Sequence, residues 1–299
     1  MHHRFEDYVA WVEPALDMSI KQQQEQFRGV LEPLRRIALV QSYLNDTRQD
    51  PPPKEPRALY TIGALAAQVA MGIHASLSTG AVFPPAVLYR TVFELLLSVK
   101  LIREKDTQNR SDLYMDFAKV LKWDHAEKTL KAGLALDPVA DLSMLKSDYN
   151  AVRGRFANNP TYWWSSIIWN SPKDFASKQS IGIGRTCAYL DNAGISPGMN
   201  GGTFTELYVR WYSTFSLLAH GTALATNMMA VDGHRPMGWQ LHPTNTRIAP
   251  LAVVACSEII LECEAGLAHP KAGWARMYLT TLSKEACEAQ NDLERSTVR

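Results

Sequence analysis

The stretch Leu88-Tyr89-Arg90-Thr91-Val92-Phe93-Glu94-Leu95-Leu96-Leu97 decides how this chain is read. Its apolar residues fall on nearly every face of a helix, as in a helix enclosed by others rather than one lying on a surface. Arg90 and Glu94 interrupt it at a spacing of four, so both side chains leave the helix on the same side. Charged groups almost never enter a core without partners. A buried helix carrying both signs at this spacing predicts one of two things: an internal ion pair that fixes packing register, or a polar centre in a cleft between helices.

Outward from this helix, almost every periodic segment has helical spacing. Residues 4–45 form an amphipathic pattern in which Phe5, Tyr8, Val9, Val12 and Leu16 precede Phe27, Val30, Leu31, Leu34 and Ile37, with the polar run Lys21–Gln26 between the two groups. Pro51-Pro52-Pro53 and Pro56 then break the chain, so residues 1–50 are expected to form an N-terminal helical arm. Helices are predicted over about 58–79, 85–104 and 111–135, the last capped by Ser111. Asp137-Pro138 is expected to open another, to about 157. Residues 158–202 differ: three tryptophans (Trp163, Trp164, Trp169) and six glycines from Gly182 to Gly202 predict an irregular insert. Helix is expected again over about 203–231, 249–268 and 270–295. No alternating strand pattern or internal repeat is present. The expected fold is all-α: a multi-helix bundle with an irregular Trp/Gly-rich insert, a core domain at 58–231 and C-terminal helices at 249–299 packed on it.

A second polar anomaly lies in Ser213-Thr214-Phe215-Ser216-Leu217-Leu218-Ala219-His220-Gly221-Thr222. Ser213, Ser216 and His220 share one helical face, and Gly221 permits close backbone approach beside the histidine. His220 is either a hydrogen-bonded core histidine or a titratable group of a site. If its helix neighbours that of Arg90, the three groups Arg90, Glu94 and His220 suffice for metal-independent RNA cleavage. One group takes the 2′-hydroxyl proton, another protonates the leaving oxygen, and the guanidinium steadies the charge on phosphorus. Trp164, with Trp163 and Trp169, either stacks on bases or pins the insert to the bundle, and the same alternatives hold for Tyr208, Trp211 and Tyr212.

Composition narrows the field. The 299 residues hold 31 basic and 30 acidic side chains, a net charge of +1 that argues against a wholly basic nucleic-acid coat. The four cysteines (Cys187, Cys256, Cys263, Cys287) form no Cys-x-x-Cys pair, so a reduced compartment is expected, and Cys256 and Cys263, seven apart, are expected in the core. Glu258, Glu262 and Glu264 share one helix, but no Glu-x-x-His accompanies them, so no carboxylate metal site is expected. Gly182-Ile183-Gly184 follows no strand and is no dinucleotide loop, and no P-loop occurs. No cofactor is expected. The uncharged stretch Ala58–Ala81 approaches membrane-span length but is rich in small residues, so a buried helix in a soluble cytoplasmic protein is expected.

The order of these features resembles that of bacterial proteins grouped as domain of unknown function 5677. The shared elements are Leu-x-Arg-x-x-x-Glu (Leu88, Arg90, Glu94), a Trp-Ser step (Trp164-Ser165) leading to a short helix over Ser171–Ser180, and a Tyr-rich helix ending in Ser-x-x-x-His-Gly (Tyr208, Tyr212, Ser216, His220, Gly221). The resemblance covers roughly residues 58–231. It implies an all-helical bacterial protein similar to the HEPN nucleases of toxin–antitoxin and anti-phage systems. The expected catalytic residues are Arg90, Glu94 and His220, and the expected substrate-binding residues are Ser216, Tyr212 and Trp164. The chain departs from the HEPN signature, because Arg210 and His220 stand with nine residues between them and face different ways, so Arg90 would have to supply the guanidinium from another helix. The partners this implies are RNA and a protein encoded beside it, with self-association left open. The competing reading is a non-catalytic helical module that binds a protein or small ligand.

Overall fold

The computed structural model describes residues 5–48, 56–81, 83–136, 141–156, 183–198, 202–219, 230–231, 235–236 and 245–297. The chain is an all-α multi-helix bundle. Its centre is α10 (Ile248–Gly266), in which residues such as Ala249, Ala252, Val253, Cys256, Ile259, Ile260 and Cys263 have no exposed surface. A helix apolar on all sides must be surrounded. Here α2 (Arg28–Thr47), α3 (Arg57–Ser78), α4 (Phe83–Glu104) and α11 (Ala272–Thr297) surround it. Prolines sit in the first turns of α4 and α10, where a missing N–H costs no hydrogen bond.

One hydrophobic cluster runs through all five helices, from Leu34 and Leu44 of α2 to Leu279 and Ala286 of α11. Of the residues expected to form an arm, Phe27 and those of α2 therefore build the same core as the rest. α1 (Phe5–Gln26) precedes α2, and the two are divided only at Phe27, which is itself buried. α2 ends at Thr47 and α3 begins at Arg57, yet both bury their apolar faces in the same cluster. α3 is the one helix among the described residues long and apolar enough to cross a membrane. It packs against α2, α4, α5 (Thr107–Lys131) and α10.

Several boundaries depart from expectation for local reasons. α5 begins at Thr107 after Asp106, whose φ of 49° is left-handed, and not at Ser111. Ser111 is a cap, but for a different helix: its hydroxyl accepts the Ala58 N–H at the start of α3, at 3.0 Å. α6 (Leu142–Phe156) starts later than Asp137-Pro138 suggested, with Asp141 accepting the N–H groups of Ser143 and Met144. α5 and α6 form a hairpin zipped by Phe117–Phe156 and Trp123–Tyr149 ring contacts. Past α7 (Ile183–Asn192), the segment expected as one helix to Val231 is α8 (Phe204–Leu207), a π-helical stretch (Tyr208–Tyr212) and α9 (Ser213–Ala219). Ala230–Val231 instead pairs with Arg235–Pro236 as two short antiparallel strands, β1 and β2.

Candidate functional site

The site forms where α9 and its π-helical lead cross α4. The entry to this segment is fixed twice over. Thr203 and Glu206 form a capping box at α8, and the Asp191 carboxylate of α7 accepts the N–H groups of Phe204 and Thr205 at 2.7 and 2.9 Å. Tyr208–Tyr212 then widens by one residue per turn, and both the N–H and the hydroxyl of Ser213 donate to the Tyr208 carbonyl. Such wide turns rotate the residues beyond them and recur at functional sites. Here the rotation delivers Tyr212 onto α4, where its ring packs on Phe93 at 5.3 Å and stacks on Tyr208 at 5.5 Å. Phe215, one turn on, meets Tyr89 edge-on at 5.3 Å.

Tyr212 joins the two charges that the sequence singles out. Arg90 Nε donates to the Tyr212 hydroxyl at 2.9 Å and to Glu94 Oε1 at 3.2 Å, and the Tyr212 hydroxyl donates to the same Glu94 oxygen at 2.7 Å. The guanidinium carbon lies 5.4 Å from the Tyr212 ring centre, within cation–π range. Burial, then the hydrogen bond to Glu94, pushes the Tyr212 phenol well above its ordinary range against the opposing pull of Arg90. Burial would lower the Arg90 guanidinium, but Tyr212 and Glu94 outweigh it and raise it. Tyr114 is raised first by burial and then by the Glu94 charge, which places a second phenol within the carboxylate's field. Tyr212 is therefore a held proton donor at neutral pH, with its hydroxyl hydrogen directed at Glu94 Oε1 and the Arg90 guanidinium beside both.

The side chains of Arg90 and Glu94 keep 32% and 29% of their surface exposed, so the centre opens to solvent. Ser216 is half-buried on α9, one turn beyond Tyr212. Arg210 is exposed. His220 and Trp164, with Trp163 and Trp169, lie outside the described residues.

Two ionic clusters join α10 to its neighbours. Lys100 of α4 is clamped between Glu258 and Glu262 of α10, with Arg103 3.5 Å from Glu262. Arg48, at the end of α2, donates to Glu264 at 2.6 Å and lies over the Tyr60 ring, with both ion-pair side chains almost wholly buried. His269 closes this second cluster: Nδ1 accepts the Lys271 N–H at 3.0 Å, so Nε2 carries the proton and donates to the Leu44 carbonyl at 3.1 Å. The three glutamates of α10 thus serve as counter-ions to α4 and α2. Lys100, Glu258 and Glu262 are charges stranded in apolar helices just as Arg90 and Glu94 are, and they are equally conspicuous in the sequence. Among the described residues no group of His, Cys, Asp and Glu side chains is arranged to hold a metal ion. Cys256 and Cys263 are fully buried core residues, and burial raises both thiols. No family model, no curated protein and no solved structure matches the chain.

Proposed function

We infer that the Arg90–Tyr212–Glu94 centre is an acid–base site acting on the phosphodiester backbone of RNA without a metal ion, in a bacterial defence or stress system of the HEPN-like kind. The observation that carries this reading is the Tyr212 hydroxyl, which holds a cation and a carboxylate in one solvent-open cluster. In this reaction Glu94 takes the 2′-hydroxyl proton while the 2′ oxygen attacks phosphorus. The bond from phosphorus to the 5′ oxygen then breaks, and His220 protonates the departing oxygen. Arg90 neutralises the charge that builds on the non-bridging oxygens. Tyr212, protonated throughout, positions Arg90 and Glu94, and Ser216 and Trp164 hold the nucleotide. The bacterial setting rests on the resemblance to domain of unknown function 5677.

Purified protein incubated with total RNA tests this. The wild type is expected to cleave with or without chelator. His220→Ala and Arg90→Gln should each lose about 10²–10⁴-fold while keeping the wild-type melting temperature within a few degrees. Intact RNA with the wild type would leave the second reading, a non-catalytic module binding a protein or ligand. That reading is favoured by one observation: Arg90, Tyr212 and Glu94 hydrogen-bond to one another.

A further inference from the structure

The outer face of α2 and α11 carries two features that fit each other. The helices run antiparallel, with Gly29 beside Ala289 at one end and Tyr43 against Trp274 at the other. At the Tyr43 end stands an aromatic ridge: Trp274 meets Tyr43 edge-on at 4.8 Å and stacks on Tyr278 at 5.5 Å. Beside it Leu39 and Met277 are 54% and 67% exposed. At the Gly29 end lies an open trough of about 570 Å³ lined by Arg28, Arg35, Arg36, Glu32, Glu285 and the small residues Gly29 and Ala289. On α2, residues 28, 32, 35, 36, 39 and 43 form a single stripe at spacings of three and four, so ridge and trough are continuous.

Exposed apolar side chains gathered in a patch mark an interaction surface. The trough selects the partner. Its arginines already engage acids, Arg35 with both oxygens of Glu32 and Arg36 with Glu32 and Glu285, so a polyanion would have to displace carboxylates and face their charge. An aromatic ridge meets no such obstacle, because it lays its rings on guanidinium faces and leaves the ion pairs in place. The chain itself carries such a ridge, with Leu39 and Tyr43 following Arg35 and Arg36 on the same stripe of α2.

We propose that this face is a two-fold interface between copies of the chain, the ridge of each seated in the trough of the other. A two-fold contact uses the same patch twice and needs self-complementarity, which a ridge and trough displaced along one groove provide. A face two helices wide and about 21–23 Å long covers about 500 Å² per copy, or about 1,000 Å² in all, the lower bound for specific association. An interface of that size gives a dimer that forms and dissociates with protein concentration. The proposal uses α2 and α11, not α4 and α9, and does not rest on the ribonuclease reading.

Sedimentation velocity of the full chain over a range from well below to well above micromolar tests it. The wild type is expected to pass from monomer to dimer. Met277→Glu, which alters an exposed side chain, is expected to weaken the dimer at least about tenfold, and Leu39→Glu likewise, with melting of the dilute protein unchanged. A wild type that stays monomeric throughout overturns the proposal and leaves the face to another partner. Undiminished dimerisation of both variants also overturns it, by placing the contact elsewhere.

Discussion

Tyr212 shows how much one hydroxyl organises. With it, Arg90 and Glu94 form a triangle; without it they are an ordinary intrahelical pair, partly exposed and contributing well under 1 kcal/mol. Tyr212→Phe keeps the ring packing on Phe93 and removes two hydrogen bonds to charged groups, so stability should fall by about 1.5–3 kcal/mol in a denaturant titration. The pH dependence has a definite sign. The phenol is raised in the folded state, so its contribution is complete below the unfolded value of about 10 and is lost as pH climbs above it. Melts of wild type and Tyr212→Phe should therefore converge above about pH 10 and stay apart below it; parallel curves across that range would count against the bridging role. Arg90 and Glu94 are legible in the sequence because charge in an apolar helix is conspicuous. The bridging role of Tyr212 is not, since an aromatic in a Tyr-rich helix is most simply a packing residue until the turn that aims it is seen.

Elements are legible where pattern and packing agree, as in α3, α4, α10 and α11, whose predicted and observed spans differ by only a few residues. They are illegible where a residue serves something distant. Ser111 looks like a cap for its own helix and caps α3 instead. The π-helical turn has no signature in a run such as Tyr-Val-Arg-Trp-Tyr. Gly198 is a further case: its φ of +121° is a region for glycine, and an added Cβ would stand 2.6 Å from the Glu258 carboxyl carbon. Glu258 is held by Lys100 and cannot simply swing away, so Gly198→Ala should destabilise by about 1–3 kcal/mol or more in thermal melts. At the join of α2 and α10, Arg48→Met strands a buried Glu264 and should cost about 3–5 kcal/mol. Adding Glu264→Leu should recover most of that loss, and a double variant no better than the single would show that the pair is not the cause.

At the scale of the molecule, the fold class is readable from helical period throughout the chain, but the grouping of helices is not. Period reports which face of a helix is apolar, not which neighbour it meets. The sequence therefore suggests an arm at α2, although Val30, Leu34, Ile37 and Leu44 complete the sheath around α10. Removing residues 28–47 should consequently leave an aggregating chain, not a folded core; a soluble truncated protein with a sharp melt would restore the arm. Assigning Glu94, Arg90 and Tyr212 to a metal-independent site on RNA requires attack by a 2′ oxygen. That step is measured most directly with a DNA oligonucleotide containing one ribonucleotide, incubated with wild-type protein in chelator. A single cut 3′ of that ribonucleotide is expected, ending in a 2′,3′-cyclic phosphate, with about 10²–10⁴-fold less product from Glu94→Gln. Cleavage at deoxynucleotides, or no cleavage at any concentration, would refute the ribonuclease assignment.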